Sequence, residues 1–126
     1  MTDKVVDASA AAAILFEEPE KDAVVARLDG FALHAPFLLD YEIANTCVKK
    51  MRRDAANAIR YLRATEMLDL LSIQLRRVDI RAAAELAARH SLSAYDASYL
   101  WLARELGAEL VTLDTKLEKA ILRRDS

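Results

Sequence analysis

Cysteine is almost missing from this chain: there is one, Cys47, in 126 residues. A single thiol closes no internal disulfide, so the fold must stand on its core, and a reducing compartment suits it. Glycine and proline number two each, which leaves little material for long loops, linkers or a second domain. The two histidines, His34 and His90, are too isolated to build a zinc site with that lone cysteine. No apolar run approaches the roughly 20 residues of a membrane span, and no basic-then-apolar leader opens the chain. Neither charge sign dominates: 18 basic against 20 acidic residues leave a formal net charge of −2. Affinity for nucleic acid would have to come from how charge is distributed, not from its total. These absences predict one cytoplasmic domain over residues 1–126, with no membrane association.

What is present is a core and a solvated exterior, with 54% hydrophobic and 30% charged residues. A chain this long can bury roughly two thirds of its unfolded surface. Residues 4–7 read as a short strand ending in an acid. Ser9 is placed to cap an alanine-rich helix over 10–16. Glu17-Glu18-Pro19 breaks that helix; another runs over 20–28, and Asp29-Gly30 makes a turn. A weakly marked strand at 31–34 leads through Pro36 to a long helix over 37–53, with Tyr41, Ala44, Val48 and Met51 at helical spacing. A helix over 55–71 carries Ile59, Leu62, Met67 and Leu70. Ile73, Leu75 and Val78 alternate with polar residues as a strand does, and Asp79 is placed to cap a helix over 80–90.

The stretch 93–116 organises the remainder. Its helix, 94–106, is apolar on nearly every side, through Tyr95, Ala97, Tyr99, Leu100, Trp101, Leu102, Ala103 and Leu106, and such a helix is buried. Gly107 ends it. Leu110-Val111 form a short strand within 109–112, and a last helix covers 116–122. Strands alternating with helices, without a hairpin signal, predict an α/β domain. It should have a mostly parallel sheet of four or five short strands with helices on both faces. Such sheets bind ligands outside the carboxyl ends of their strands.

Four acids fall near those ends or at helix starts, and each also has a purely structural reading. Asp7 closes the first strand and is placed to help cap the next helix. Glu42 lies early in the long helix, where the helix dipole welcomes an acid. Asp40 fits that role better, as an N-cap, and Asn45 sits one turn beyond Glu42. Asp96 stands three residues after Ser93, the spacing of a capping box, yet Tyr95 and Tyr99 beside it favour the interior. Asp114 is placed to cap the last helix, although Thr115-Lys116-Leu117-Glu118 offers a capping box of its own. Thr112 can donate to the same place. Carboxylates gathered without basic partners repel one another unless a cation sits among them. Oxygen-only donors select Mg²⁺ or Mn²⁺.

At these residues the sequence resembles the PIN-domain ribonucleases, most closely the VapC-type toxins of toxin–antitoxin pairs. The resemblance is carried by V-V-D-A-S at 5–9, Y-E-I-A-N at 41–45, L-S-A-Y-D-A-S-Y at 92–99 and T-L-D-T-K-L at 112–117. It covers essentially the whole chain, and the L-S-x-Y-D-A element followed by T-x-D is its most specific part. It implies that Asp7, Glu42, Asp96 and Asp114 hold one or two Mg²⁺ or Mn²⁺ ions, with Ser9 and Thr112 in the pocket; Asn45, one turn after Glu42, either joins them by bonding Glu42 or is simply exposed. The implied reaction is hydrolysis of an RNA phosphodiester, the ion activating water and stabilising charge on the phosphoryl oxygens. It implies, too, a homodimer and a cognate antitoxin seated on a groove of the early helices; the alanine-rich first helix either offers a shallow surface for it or is consumed by the sheet. Family members often add a fifth short strand where this chain reads Arg123-Arg124-Asp125-Ser126.

Other functions that gather acids at strand ends fit less well. A phosphoaspartyl receiver needs an aspartate after the third strand and a lysine after the fifth, and neither is found. A haloacid-dehalogenase-type phosphatase wants D-x-D after the first strand, where this chain has D-A-S. A PIN domain that only binds protein or RNA would mark itself by losing its acids, and all four are present. Lys49, Lys50, Arg52 and Arg53, followed by Arg60 and Arg63, offer a path for RNA phosphates, or serve as ordinary cations near a helix C-terminus.

Overall fold

The structure, a computed structural model, describes residues 2–123. Four strands form one sheet: β1 (Asp3–Val6), β2 (Ala32–Pro36), β3 (Ile73–Arg76) and β4 (Glu109–Val111). All neighbours run parallel, in the order β3-β2-β1-β4. Seven α-helices accompany them among the described residues: α1 (Ala8–Leu15), α2 (Lys21–Leu28), α3 (Leu38–Arg53), α4 (Ala58–Glu66), α5 (Ile80–His90), α6 (Ala94–Leu106) and α7 (Thr115–Leu122). Residues 124–126, where family members often add a fifth short strand, lie outside the described residues.

Parallel strands need crossovers, and crossovers are right-handed. The chain steps from β1 to β2 to β3 in one direction, then returns past β2 and β1 to β4. Right-handed connections therefore put α1–α4 on one face and α5 and α6 on the other, with α6 in contact with β1, β2 and β4. A sheet covered on both faces has buried, continuously apolar strands, as Val5, Val6, Leu110 and Val111 are. The direction of winding reverses between β1 and β4, and beyond that reversal lies the crevice where open α/β sheets bind ligands.

Several local readings need correcting. Tyr41, Ala44 and Val48 of α3 face solvent; the buried stripe is Leu39, Ile43 and Cys47, one step round the helix. Residues 55–71 are not one helix but a 3-10 turn (Ala55–Asn57), α4, and a second 3-10 segment (Met67–Leu71). None of their side chains is fully buried, because no element of the described chain covers their outer face. Tyr95 lies outside as well, exposed in the first turn of α6, whereas Tyr99 and Leu102 further along the same face are buried. Asp40 is not an N-cap: α3 starts at Leu38, so Asp40 lies exposed within its first turn. Asp7 rather than Ser9 caps α1, since that helix begins two residues earlier than its alanine run suggests.

Both histidines are buried. His34 Nε2 bonds Asp3 Oδ1 at 2.8 Å, while its Nδ1 accepts from Arg76 Nε at 3.1 Å, so the imidazole ties β1, β2 and β3 together. Lys4 is buried too, donating to the Arg27 carbonyl at 2.6 Å and pairing with Glu109 at 3.6 Å. These polar groups serve the sheet and stand apart from the crevice.

Candidate active site

Asp7 leaves the end of β1 directly into the crevice. Its amide donates to the Val111 carbonyl at 3.2 Å, extending the β1–β4 pairing by one residue. Its side chain is almost wholly used. Oδ1 accepts from the Ser9 hydroxyl at 2.7 Å and the Ala10 amide at 3.0 Å, and Oδ2 accepts from the Thr112 hydroxyl. Ser9 and Thr112 are anchored in turn: Ser9 Oγ accepts from Leu113 N at 2.9 Å, and Thr112 Oγ1 from Asp114 N at 3.0 Å. The ends of β1 and β4 are thereby laced together by two hydroxyls that converge on one carboxylate. Thr112 is buried behind Asp7 and braces it without lining the pocket.

The other acids arrive from different elements. Glu42 is on α3, Asp96 opens α6 and Asp114 precedes α7. Together with Asp7 they line one pocket of about 390 Å³, shared with Ser9, Thr46, Tyr99, Leu113 and, on the α1–α2 connection, Glu18 and Glu20. The capping readings hold beside this one. Asp114 caps α7, with Oδ1 accepting the amides of Lys116 at 2.9 Å and Leu117 at 3.1 Å; it, not Thr115, is the cap. Ser93 Oγ caps α6 by accepting the Asp96 amide at 3.0 Å, which leaves the Asp96 carboxylate at the rim.

Asn45 is exposed and outside the pocket lining. Each helical residue advances about 100°, so Thr46 falls between Glu42 and the buried Leu39–Ile43–Cys47 stripe while Asn45 falls on the far side. Thr46 therefore lines the pocket, its hydroxyl held on the Glu42 carbonyl at 3.0 Å.

The electrostatics bind the four acids into one unit. Burial pushes the Asp7 carboxyl above its ordinary range; its hydrogen bonds oppose that and the Asp114 charge adds to it. Burial likewise raises Glu42, against a hydrogen bond from Tyr99 and with the charges of Asp96 and Asp7. Asp96 is raised by burial and by Asp114 and Asp7, with Lys116 pulling the other way. Among the described residues no three acid, imidazole or thiol groups are drawn together as a closed cage. The donor chemistry still fits a hard cation: the side-chain donors lining the pocket are oxygens, and the acids feel each other's charge.

Sequence comparison decides what kind of domain carries this pocket. The family described as PIN domain matches residues 4–121. The chain belongs to the PIN-domain family. This PIN domain is 36% identical over 121 residues to Ribonuclease VapC3 of Pyrobaculum aerophilum, covering 90% of each chain. It is 37% identical over 113 residues to Ribonuclease VapC9 of Mycobacterium tuberculosis, covering 90% of this chain and 87% of the relative. The crystal structure of PAE2754 from Pyrobaculum aerophilum shares the fold with a TM-score of 0.76 at 25% identity, over 96% of this chain and 81% of that one. The PIN domain thus stands among VapC ribonucleases.

Thr46, Tyr99, Lys116, Glu18 and Glu20 also neighbour the site, and of these only Tyr99 stands out in the sequence, as a neighbour of Asp96. Helical spacing points to Thr46 in the same way, one turn after Glu42. No periodicity points to the two glutamates, which come from a connection.

Proposed function

We propose that this PIN domain is a Mg²⁺- or Mn²⁺-dependent endoribonuclease, the toxin of a type II toxin–antitoxin pair acting in the cytoplasm. One observation carries the reading: carboxylates from four separate elements line a single pocket beyond the β1–β4 reversal. Asp7, Glu42, Asp96 and Asp114 are the residues that would hold the ion. Bound there, it supplies an activated water and neutralises charge developing on phosphoryl oxygens. Asp7 brings a carboxylate fixed by Ser9, Ala10 and Thr112. Asp96 brings the least constrained one, at the rim where a phosphodiester would enter. No protein nucleophile is called for, which suits a pocket without a Ser–His or Cys–His pair among its lining residues.

The partner expectations also find support. Exposed Lys49, Arg52 and Arg53 at the end of α3 are available to RNA phosphates, whereas Lys50 pairs with Glu18 at 3.3 Å. For a cognate antitoxin, the shallow surface expected on α1 is consumed by the core, since Ala10–Ala13 are buried. A groove of about 540 Å³ between the end of α1 and the 60–71 region takes its place, lined by Ile14, Phe16, Tyr61, Met67 and Leu71 among others. Large apolar side chains left exposed on α3, Phe37 before it and Tyr41 in it, suit a homodimer. No helix among the described residues is long and apolar enough to cross a membrane.

The test is cleavage of a structured RNA with Mg²⁺ or Mn²⁺ by the wild type, Asp96→Asn and Asp40→Asn. Altering groups that merely support metal ligands costs about 10–100-fold, so losing a ligand charge at Asp96 should cost at least roughly 100-fold. Asp40→Asn should match the wild type. Equal cleavage by all three proteins would remove Asp96 from the catalytic set, and absence of cleavage by the wild type would leave the domain as a binding module.

A further inference from the structure

Tyr99 is the most enclosed polar residue of the pocket. It is 1% exposed, its ring lies in the hydrophobic core, and its hydroxyl donates to Glu42 Oε1 at 2.6 Å. That bond spans 57 residues of sequence and joins α6 to α3. No buried side-chain nitrogen or oxygen among the described residues lacks a partner, and Glu42 is the partner recorded for this phenol.

We infer that Tyr99 is a positioning residue: it fixes the Glu42 carboxylate, and with it the spacing between Glu42 and Asp96, for cation binding. This rests on the metal-dependent reading above. Asp96 and Tyr99 are one helical turn apart on α6, so the phenol holds an acid of α3 at a set distance from an acid of the helix it belongs to. Glu42 is half-buried and lines the pocket with Asp7 and Asp96. An acceptor so placed either keeps a donor or turns out to solvent. Tyr99 supplies that donor and favours the anion. It occupies Oε1 and leaves Oε2 for the pocket. A buried ring with few rotamers makes a stiffer prop than a surface side chain would.

The experiment is a double-mutant cycle with Tyr99→Phe and Glu42→Ala, read twice. Metal-free melting temperatures come first and need no ion. Tyr99→Phe should lower the melting temperature in the wild type and have a smaller or opposite effect in Glu42→Ala, where the phenol has already lost its acceptor. Mn²⁺ titration by calorimetry comes second. Tyr99→Phe should weaken binding by about tenfold in the wild type, the scale of losing a ligand's outer partner, and change nothing further in Glu42→Ala. With RNA, kcat should fall while KM holds, because Tyr99 acts through Glu42 and is itself only 1% exposed. Additive melting effects would overturn the strut, as would equal Mn²⁺ affinity of Tyr99→Phe and wild type. Failure of the wild type itself to bind Mn²⁺ overturns the metal-dependent reading and, with it, this role; non-additive melting would then mark the bond as structural only.

Discussion

Asp114 shows how one carboxylate can serve the fold and the pocket together. Its Oδ1 closes the first turn of α7, while its charge is felt at Asp7 and Asp96. Two substitutions separate the roles. Asparagine keeps a capping oxygen and removes the charge, so Asp114→Asn should melt within a degree or two of the wild type and still lose RNA cleavage. Asp114→Ala removes both, and should cost about 1 kcal/mol of stability besides. Thermal melts beside cleavage assays check this; an active Asp114→Asn would reduce Asp114 to a cap. The acids themselves were legible in the sequence because each sits beside a strand end or a helix start. The cap was not, since Thr115-x-x-Glu118 offers an equally good pattern one residue later. Only the extended backbone of Asp114 shows which residue the helix uses. Asn45 could not be placed for a related reason: spacing of three or four both suit a helix face, and the buried stripe decides between them.

At the scale of elements, the alternation of strands and helices could be read from the apolar runs and their punctuation, and the parallel sheet followed. What could not be read was which helical faces the chain covers. Leu70, 71% exposed, and Tyr41, 77% exposed, sit at helical spacing with apolar neighbours, and that pattern asks for cover without saying that the same chain provides it. Helix ends were legible at both corners. Gly107 announces the end of α6, and α5 ends at His90 as expected, although its cap, Ser91, is a non-glycine residue in the left-handed region with φ 54°. That conformation costs a residue with a side chain roughly 1–2 kcal/mol, and glycine's looser unfolded chain offsets part of the gain. Ser91→Gly should therefore stabilise the α5–α6 corner by up to about 1 kcal/mol without touching cleavage. Denaturant unfolding would register it, and a loss of stability would contradict the account of this corner.

For the whole molecule, the pocket makes stability depend on pH and on metal. Asp7, Glu42 and Asp96 have carboxyls raised above their ordinary range. Between that range and the raised values the native state holds more protons than the unfolded one, so their contribution falls as pH rises. Glu109, lowered chiefly by Arg27, acts in the opposite sense, and its contribution is lost in acid. It is about half exposed and screened, so the buried acids should prevail above the ordinary carboxylate range. Metal-free protein should thus lose stability from mildly acid to neutral pH, and Mn²⁺ should restore it by binding the native state. Melting curves across pH, with and without Mn²⁺, would show this. The most direct test of the central claim, that four carboxylates at the β1–β4 reversal form one cation site, is calorimetric titration of Mn²⁺ in two buffers of different ionisation enthalpy. Binding should come with proton release just above the ordinary carboxylate range, because raised carboxyls must ionise to accept the ion, and Asp96→Asn should bind much more weakly. Absence of binding at millimolar Mn²⁺, or full binding by Asp96→Asn, would contradict that claim.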